Sequence, residues 1–138
     1  MKHLKIYKDV TLLITHYNRS SSLERLLRAF MNIGAWFEDV VVSDDCSREK
    51  HLRRVKALQK DFSFKLITTP ENKGLGHNIN KGQDAVKTPF TLYVQEDFVP
   101  RKEFLQAFSQ SPVIYQGEKR YRHRQFIRLH QIPGFKTI

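Results

Sequence analysis

The chain has a single cysteine, Cys46, among its 138 residues. An intrachain disulfide is therefore impossible, which suits a reducing compartment. No apolar run approaches the ~18–20 residues that span a bilayer. The start, Met1-Lys2-His3-Leu4-Lys5, is basic, but no long apolar segment follows before Asp9, so no signal peptide is read. These absences predict a soluble, cytoplasmic protein. There is no internal repeat, no low-complexity linker and no Walker A sequence. The glycines are too sparse, and wrongly placed, for a dinucleotide fingerprint, which belongs after the first strand. Acid is scarce toward the C-terminus: after Glu103 the one acidic side chain is Glu118.

What is present fits one ordinary domain. The chain is 40% hydrophobic, and at this length it can bury about two-thirds of its unfolded surface without a disulfide or structural metal. The formal net charge is +10, from 24 basic and 14 acidic side chains. Such an excess favours anionic partners: nucleotides, nucleic acid or an anionic membrane surface. Part of it is concentrated. Lys119, Arg120, Arg122, Arg124, Arg128 and Lys136 face only Glu118 between Gly117 and Ile138. A solvated basic tail is the plain reading of that stretch.

Hydrophobic patterning alternates along the chain. Val10 to Ile14 reads as a buried strand. Ser21-x-x-Glu24 has capping-box spacing, and Leu23, Leu26, Leu27, Phe30 and Met31 follow on one helical face. Gly34 is a plausible stop. Val40 to Val42 reads as a second strand. Ser47 can cap a helix carrying Leu52, Val55 and Leu58. Phe64 to Thr68 is a third strand, and Asn72-Lys-Gly74-Leu-Gly76 a turn. A helix follows with Leu75, Ile79, Ala85 and Val86, weakened by Gly82 by about 1 kcal/mol relative to Ala. Phe90 to Val94 is a fourth strand, and Pro100 can open a short helix with Phe104, Leu105 and Phe108. Tyr121 to Leu129 reads as strand or helix. The order predicts an α/β fold, three-layer α/β/α with a mostly parallel sheet. Residues 1–110 form the domain, and 111–138 a basic C-terminal segment.

In open α/β sheets, ligands bind beyond the carboxyl ends of the strands. Here those ends are polar: Thr15-His16-Tyr17-Asn18-Arg19, then Ser43-Asp44-Asp45, then Asn72 to Asn78, then Gln95-Glu96-Asp97. Each cluster has a plain alternative. Asp44-Asp45 can be a capping turn, Asn72 to Gly76 a simple turn, and Glu96-Asp97 a solvated acidic loop. His16 and His77 are more often structural than ligands, and Cys46 has no obvious activating partner. The joint placement of the four clusters at one sheet edge is the informative fact.

That combination resembles family 2 glycosyltransferases of the GT-A fold. The resemblance rests on Thr15-His16-Tyr17-Asn18-Arg19, Val41-Val42-Ser43-Asp44-Asp45-Cys46-Ser47, Asn72-Lys73-Gly74 with Asn78, and Val94-Gln95-Glu96-Asp97. It covers residues 10–105 or so. It implies a nucleoside diphosphate sugar donor, UDP-sugar favoured, and transfer to a saccharide acceptor with inversion. Thr15, Tyr17, Asn18 and Arg19 would belong to the donor site, with Thr15 donating a hydrogen bond and Tyr17 stacking. Asp44 would accept from a base N–H, and Asp45 would support the turn or the ribose. Lys73, His77 and Asn78 would lie near the nucleotide. Glu96-Asp97 would stand for the family's acidic motif, with Asp97 the first metal ligand and Glu96 a second ligand or a ribose contact. The implied cofactor is Mg²⁺ or Mn²⁺.

The chain departs from the family in length, since members run about twice as long. Their second half supplies the general base, which is not identified here, so residues 111–138 would be the start of an acceptor-binding half. Two other classes compete. One is a non-catalytic nucleotide-sugar-binding module. The other, less favoured, is a basic nucleic-acid-binding domain, drawn from Tyr121-Arg122-His123-Arg124-Gln125-Phe126. The same basic stretch could touch anionic lipid, which would put the protein at the inner face of a membrane.

Overall fold

The computed structural model describes residues 4–109 and 125–128. The elements are β1 (Lys5–His16), α1 (Ser20–Ile33), β2 (Ala35–Asp44), α2 (Glu49–Leu58), β3 (Lys65–Ile67), α3 (Leu75–Asp84), β4 (Phe90–Gln95), α4 (Phe104–Ser109) and β5 (Gln125–Arg128). They form one sheet of order β3-β2-β1-β4-β5. Every pairing is parallel. The α/β layering expected from the sequence is what the chain adopts.

Alternation along β1 builds two cores. Val10, Leu12 and Ile14 join Leu23, Leu26, Leu27 and Phe30 of α1, Val55 and Leu58 of α2, and Phe104 and Phe108 of α4. Leu13 points to the other face with Val41 and Tyr93, packed against Ile79 of α3. The sheet is thus covered on both sides, as a parallel sheet requires. Gly82 has a positive reason to be glycine. A Cβ there would lie 2.4 Å from Leu13 Cδ1 and 3.1 Å from Ser43 Cβ. Its absence lets α3 sit directly on β1 and β2, so the weakening expected from helix propensity is the lesser effect.

Two expected caps do not form. α1 starts with Arg19 at its N-cap and no side-chain cap. Glu24 instead meets Arg28 at 2.9 Å and Arg54 at 3.6 Å, while Ser21 Oγ accepts from Arg54 Nη1. α2 likewise has Arg48 at its N-cap, because Ser47 is used elsewhere. Gly34 does end α1, with φ of 80° and its N–H donating to Met31 O. Of the Tyr121–Leu129 stretch, Gln125–Arg128 is a strand beside β4. Glu118 and most of the basic C-terminal segment lie outside the described residues.

Candidate active site

The strand order reverses at β1. From β1 the chain lays down β2 and β3 on one side, then β4 and β5 on the other. Such a switch point opens a crevice at the strands' carboxyl ends. Register brings the chemistry to it: His16 pairs with Asp44, and Thr15 with both Ser43 and Gln95. A cleft of about 320 Å³ lies there. Thr15, His16 and Tyr17 form one wall, and Gln95 and Glu96 the wall beside it. Asp45, Asn72, Gly74, Leu75 and Asn78 close the opposite side. Tyr17 and Leu75 are 45% and 48% exposed, two of five large hydrophobic side chains that are exposed among the described residues.

Asp44 does not face this cleft. Its side chain is fully buried. Oδ1 accepts from His16 Nδ1 at 2.8 Å and from Ser47 Oγ at 2.5 Å, and Oδ2 accepts from the Ser47 N–H at 2.9 Å. His16 Nε2 accepts from the Arg19 N–H at 3.2 Å. The ring is therefore the neutral Nδ1–H tautomer. Burial pushes the Asp44 pKa up, but the hydrogen bonds from His16 and Ser47 outweigh it and hold the carboxyl below its ordinary value. The sequence expectation has Asp44 accepting from a base N–H; in the fold its side chain is fully buried and does not line the cleft, whereas Asp45 does. Asn18 is likewise bonded to the facing turn. Its N–H donates to Ser47 Oγ at 2.8 Å, and its Oδ1 accepts from the Arg48 N–H at 2.7 Å.

Asp45 reaches the cleft, and it also ties the next loop down. Its two oxygens accept from the N–H groups of Lys73 and Gly74 at 2.8 and 2.9 Å. Gly74 precedes α3 with φ of 90°, a conformation that a side chain would strain. Asn78 is 2% exposed and bonded to Ser43: Oδ1 accepts from Ser43 Oγ, and Nδ2 donates to Ser43 O. Lys73 and His77 are exposed and do not line the cleft. Lys81, which sequence reasoning passed over, donates to Asp44 O and Thr69 Oγ1. Burial lowers its pKa, against the attraction of Asp44, Asp45 and Cys46. Its four-residue spacing from His77 along an exposed-looking helix gave no sign of this.

The end of β4 divides its two carboxylates. The Glu96 side chain is 15% exposed and lies 3.9 Å from Arg19 Nε. Burial raises its pKa, and the Asp97 charge adds to this, while a hydrogen bond from its own backbone N–H and the Arg19 charge oppose it. Asp97 is exposed and stands outside the cleft lining. Thr15 is buried, with its Oγ1 2.9 Å from Tyr93 Oη. Among the described residues no three His, Cys, Asp or Glu side chains are grouped to hold a metal. No described helix is long and apolar enough to cross a membrane.

Residues 11–134 match the family described as glycosyl transferase family 2. The chain belongs to this family. An uncharacterized glycosyltransferase of Haemophilus influenzae is 28% identical over 109 residues, covering 76% of this chain and 36% of that one. Among solved structures, Staphylococcus aureus TarS 1–349 in complex with UDP-GlcNAc superposes with a TM-score of 0.64 at 25% identity. That match covers 73% of this chain and 30% of TarS 1–349. The mannosyltransferase PcManGT of Pyrobaculum calidifontis, in complex with GDP-Man and Mn²⁺, shares the fold with a TM-score of 0.56 at 21% identity. It is matched over 70% of this chain and 30% of its own length. This family 2 glycosyltransferase chain thus spans about a third of the length of the relatives it matches.

Proposed function

We propose that the cleft between β1 and β4 is the donor site of a glycosyltransferase that takes a nucleoside diphosphate sugar, UDP-sugar in first place. One observation carries this reading. The topological switch point gathers an exposed aromatic ring, Tyr17, and two carboxylates, those of Asp45 and the half-buried Glu96. Tyr17 gives a stacking face for the base. Asp45, which lines the cleft where Asp44 does not, is assigned the hydrogen bond from a base N–H. Thr15 and Asn78 shape the floor, and Glu96 accepts from the ribose or shares the metal. The complexes of TarS with UDP-GlcNAc and of PcManGT with GDP-Man support a nucleotide-sugar ligand.

Glu96-Asp97 suits Mg²⁺ or Mn²⁺. Both ions take oxygen ligands, typically one or two carboxylates with phosphates and water, so a cage of three protein ligands is not required. Burial raises the Glu96 pKa, so a cation beside it would favour the ionised carboxylate. Asp97 remains the first ligand proposed, because its exposure leaves its oxygens open to an ion and a diphosphate. A bound divalent ion would neutralise charge on the departing diphosphate as a Lewis acid. Arg19, largely exposed beside Glu96, would help balance the same charge. The acceptor is a saccharide hydroxyl attacking with inversion, and the carboxylate that deprotonates it is assigned to no described residue.

Isothermal titration with UDP-, GDP- and CDP-sugars in Mn²⁺ tests the donor site. Binding of one class with micromolar to millimolar affinity is expected. No binding by folded protein ends the reading. Release of nucleoside diphosphate from the bound donor, abolished in Asp97→Ala, separates an enzyme from a binding module.

A further inference from the structure

The hydrogen-bonded cluster of His16, Asn18, Asp44 and Ser47 at the edge of the cleft is given no donor contact, yet it joins the two turns that carry such contacts. We infer that His16, Asp44, Ser47 and Asn18 form a clasp whose role is to hold Tyr17 and Asp45 in their binding positions. This rests on the donor-site reading above.

The turn from His16 to Arg19 is pinned at each residue except Tyr17. His16 O accepts from the Asp45 N–H at 3.1 Å, and His16 Nε2 accepts from the Arg19 N–H. Asn18 is bonded at its N–H and at its Oδ1 to Ser47 and Arg48. The facing turn is pinned in return, since Asp44 takes both the hydroxyl and the N–H of Ser47. Each turn also contains one residue in the left-handed region, Asn18 at φ 51° and Cys46 at φ 59°. A non-glycine residue stays there only where its surroundings hold it. Neither turn is bound to the other by ladder bonds beyond His16, where the β1–β2 register ends. The side-chain clasp is what continues their alignment.

The result is a fixed frame with one side chain standing out of it. Tyr17 is 45% exposed between two pinned neighbours, so it has little backbone freedom to lose when a ring stacks on it. Asp45 is fixed at its own N–H by His16 and at its oxygens by the loop before α3. Preorganisation of this kind raises affinity by cutting the ordering cost of binding. The four residues act through Tyr17 and Asp45 and are positioning residues.

Donor affinity of purified variants, with UDP-sugar and Mn²⁺, tests the clasp. Ser47→Ala should weaken binding about tenfold, the scale of a lost hydrogen bond in a network. Ser47→Thr, which keeps the hydroxyl, should restore it to within about twofold. Should Ser47→Ala not fold, Asn18→Gly serves: glycine accepts the left-handed conformation and loses only the bond to Arg48. The decisive comparison is with Tyr17→Ala. The double variant, Ser47→Ala or Asn18→Gly combined with Tyr17→Ala, should lose clearly less affinity than the two single losses together, because only the share that acts through Asp45 remains to be lost. Full additivity, or wild-type affinity in the folded single variants, overturns the clasp while leaving the donor site standing. Absence of binding in the wild type overturns both.

Discussion

Cys46 occupies a position that glycine would fill at less cost. Its φ of 59° lies in the left-handed region, which costs an L-residue about 1–2 kcal/mol. The weak contact from its Sγ to Pro70 O at 3.4 Å returns little of this. Cys46→Gly should stabilise the protein by about 0.5–1 kcal/mol, after the greater unfolded-state freedom of glycine is deducted. A rise of a few degrees in Tm would show it, and a fall would mean that the thiol contact outweighs the strain. Glu96 presents the opposite case, a residue kept at a cost to the fold. Its folded-state pKa is raised above the ordinary 4.5, chiefly by burial. The folded chain therefore holds the proton more tightly than the unfolded one, and stability declines as pH rises from 4.5 through the folded value. That loss persists at neutral pH. Glu96→Gln should raise Tm at pH 7, flatten the pH dependence of Tm above pH 4, and weaken donor binding. A lower Tm at pH 7 would refute the account.

At the scale of elements, the joint between α1 and α2 is set to fail in acid. Ser20, the first residue of α1, places its N–H and Oγ 3.4 and 2.9 Å from His51 Nδ1. The N–H can only donate, so the ring must be unprotonated at that nitrogen. Burial lowers the His51 pKa, and the charges of Lys50, Arg54 and Arg48 lower it further. A depressed folded pKa gives stability that is present above the ordinary 6.5 and lost as pH falls through the folded value. Tm should decline between pH 7 and pH 5, and His51→Asn should remove part of that slope. α3 is held differently, by contact. Helix propensity alone would make Gly82→Ala stabilising by about 1 kcal/mol. The added Cβ would press on Leu13 in a fully buried position, and overpacking of this kind costs about 1–3 kcal/mol. A net loss in urea denaturation is expected, and a gain would show that Leu13 can turn aside freely. These elements were legible in outline. Apolar runs marked each strand's middle, but β1 begins at Lys5 because pairing with Ala35 and Trp36 extends it through charged, exposed positions. The capping motifs misled, since Ser21, Glu24 and Ser47 found partners on neighbouring elements. The strand-end clusters were readable because parallel strands send all their carboxyl ends to one edge. Which of Asp44 and Asp45 faces the cleft was not readable, because it depends on His16 28 residues away.

The molecule as a whole carries +10, while the cleft it offers is edged by the carboxylates of Asp45 and Glu96. These opposite signs act over different distances. The net charge draws an anion over distances up to about the Debye length, about 10 Å at 0.1 M and longer at lower salt. The cleft carboxylates repel it on arrival unless a divalent ion stands between them and the diphosphate. Association and retention should therefore respond to different variables. Raising salt from about 0.05 M to about 0.5 M should slow nucleotide-sugar association several-fold. Dissociation should change little, because the contacts made in the cleft are short-range. Removing divalent ions with a chelator should act on dissociation instead and raise Kd at every salt concentration. Stopped-flow traces with a fluorescent UDP-sugar separate the two rates. A nucleic-acid-binding surface would behave otherwise, with equilibrium affinity falling as a steep power of salt concentration. If dissociation carries the salt dependence and the chelator has no effect, the basic charge is part of the binding surface itself, and Glu96-Asp97 holds no ion.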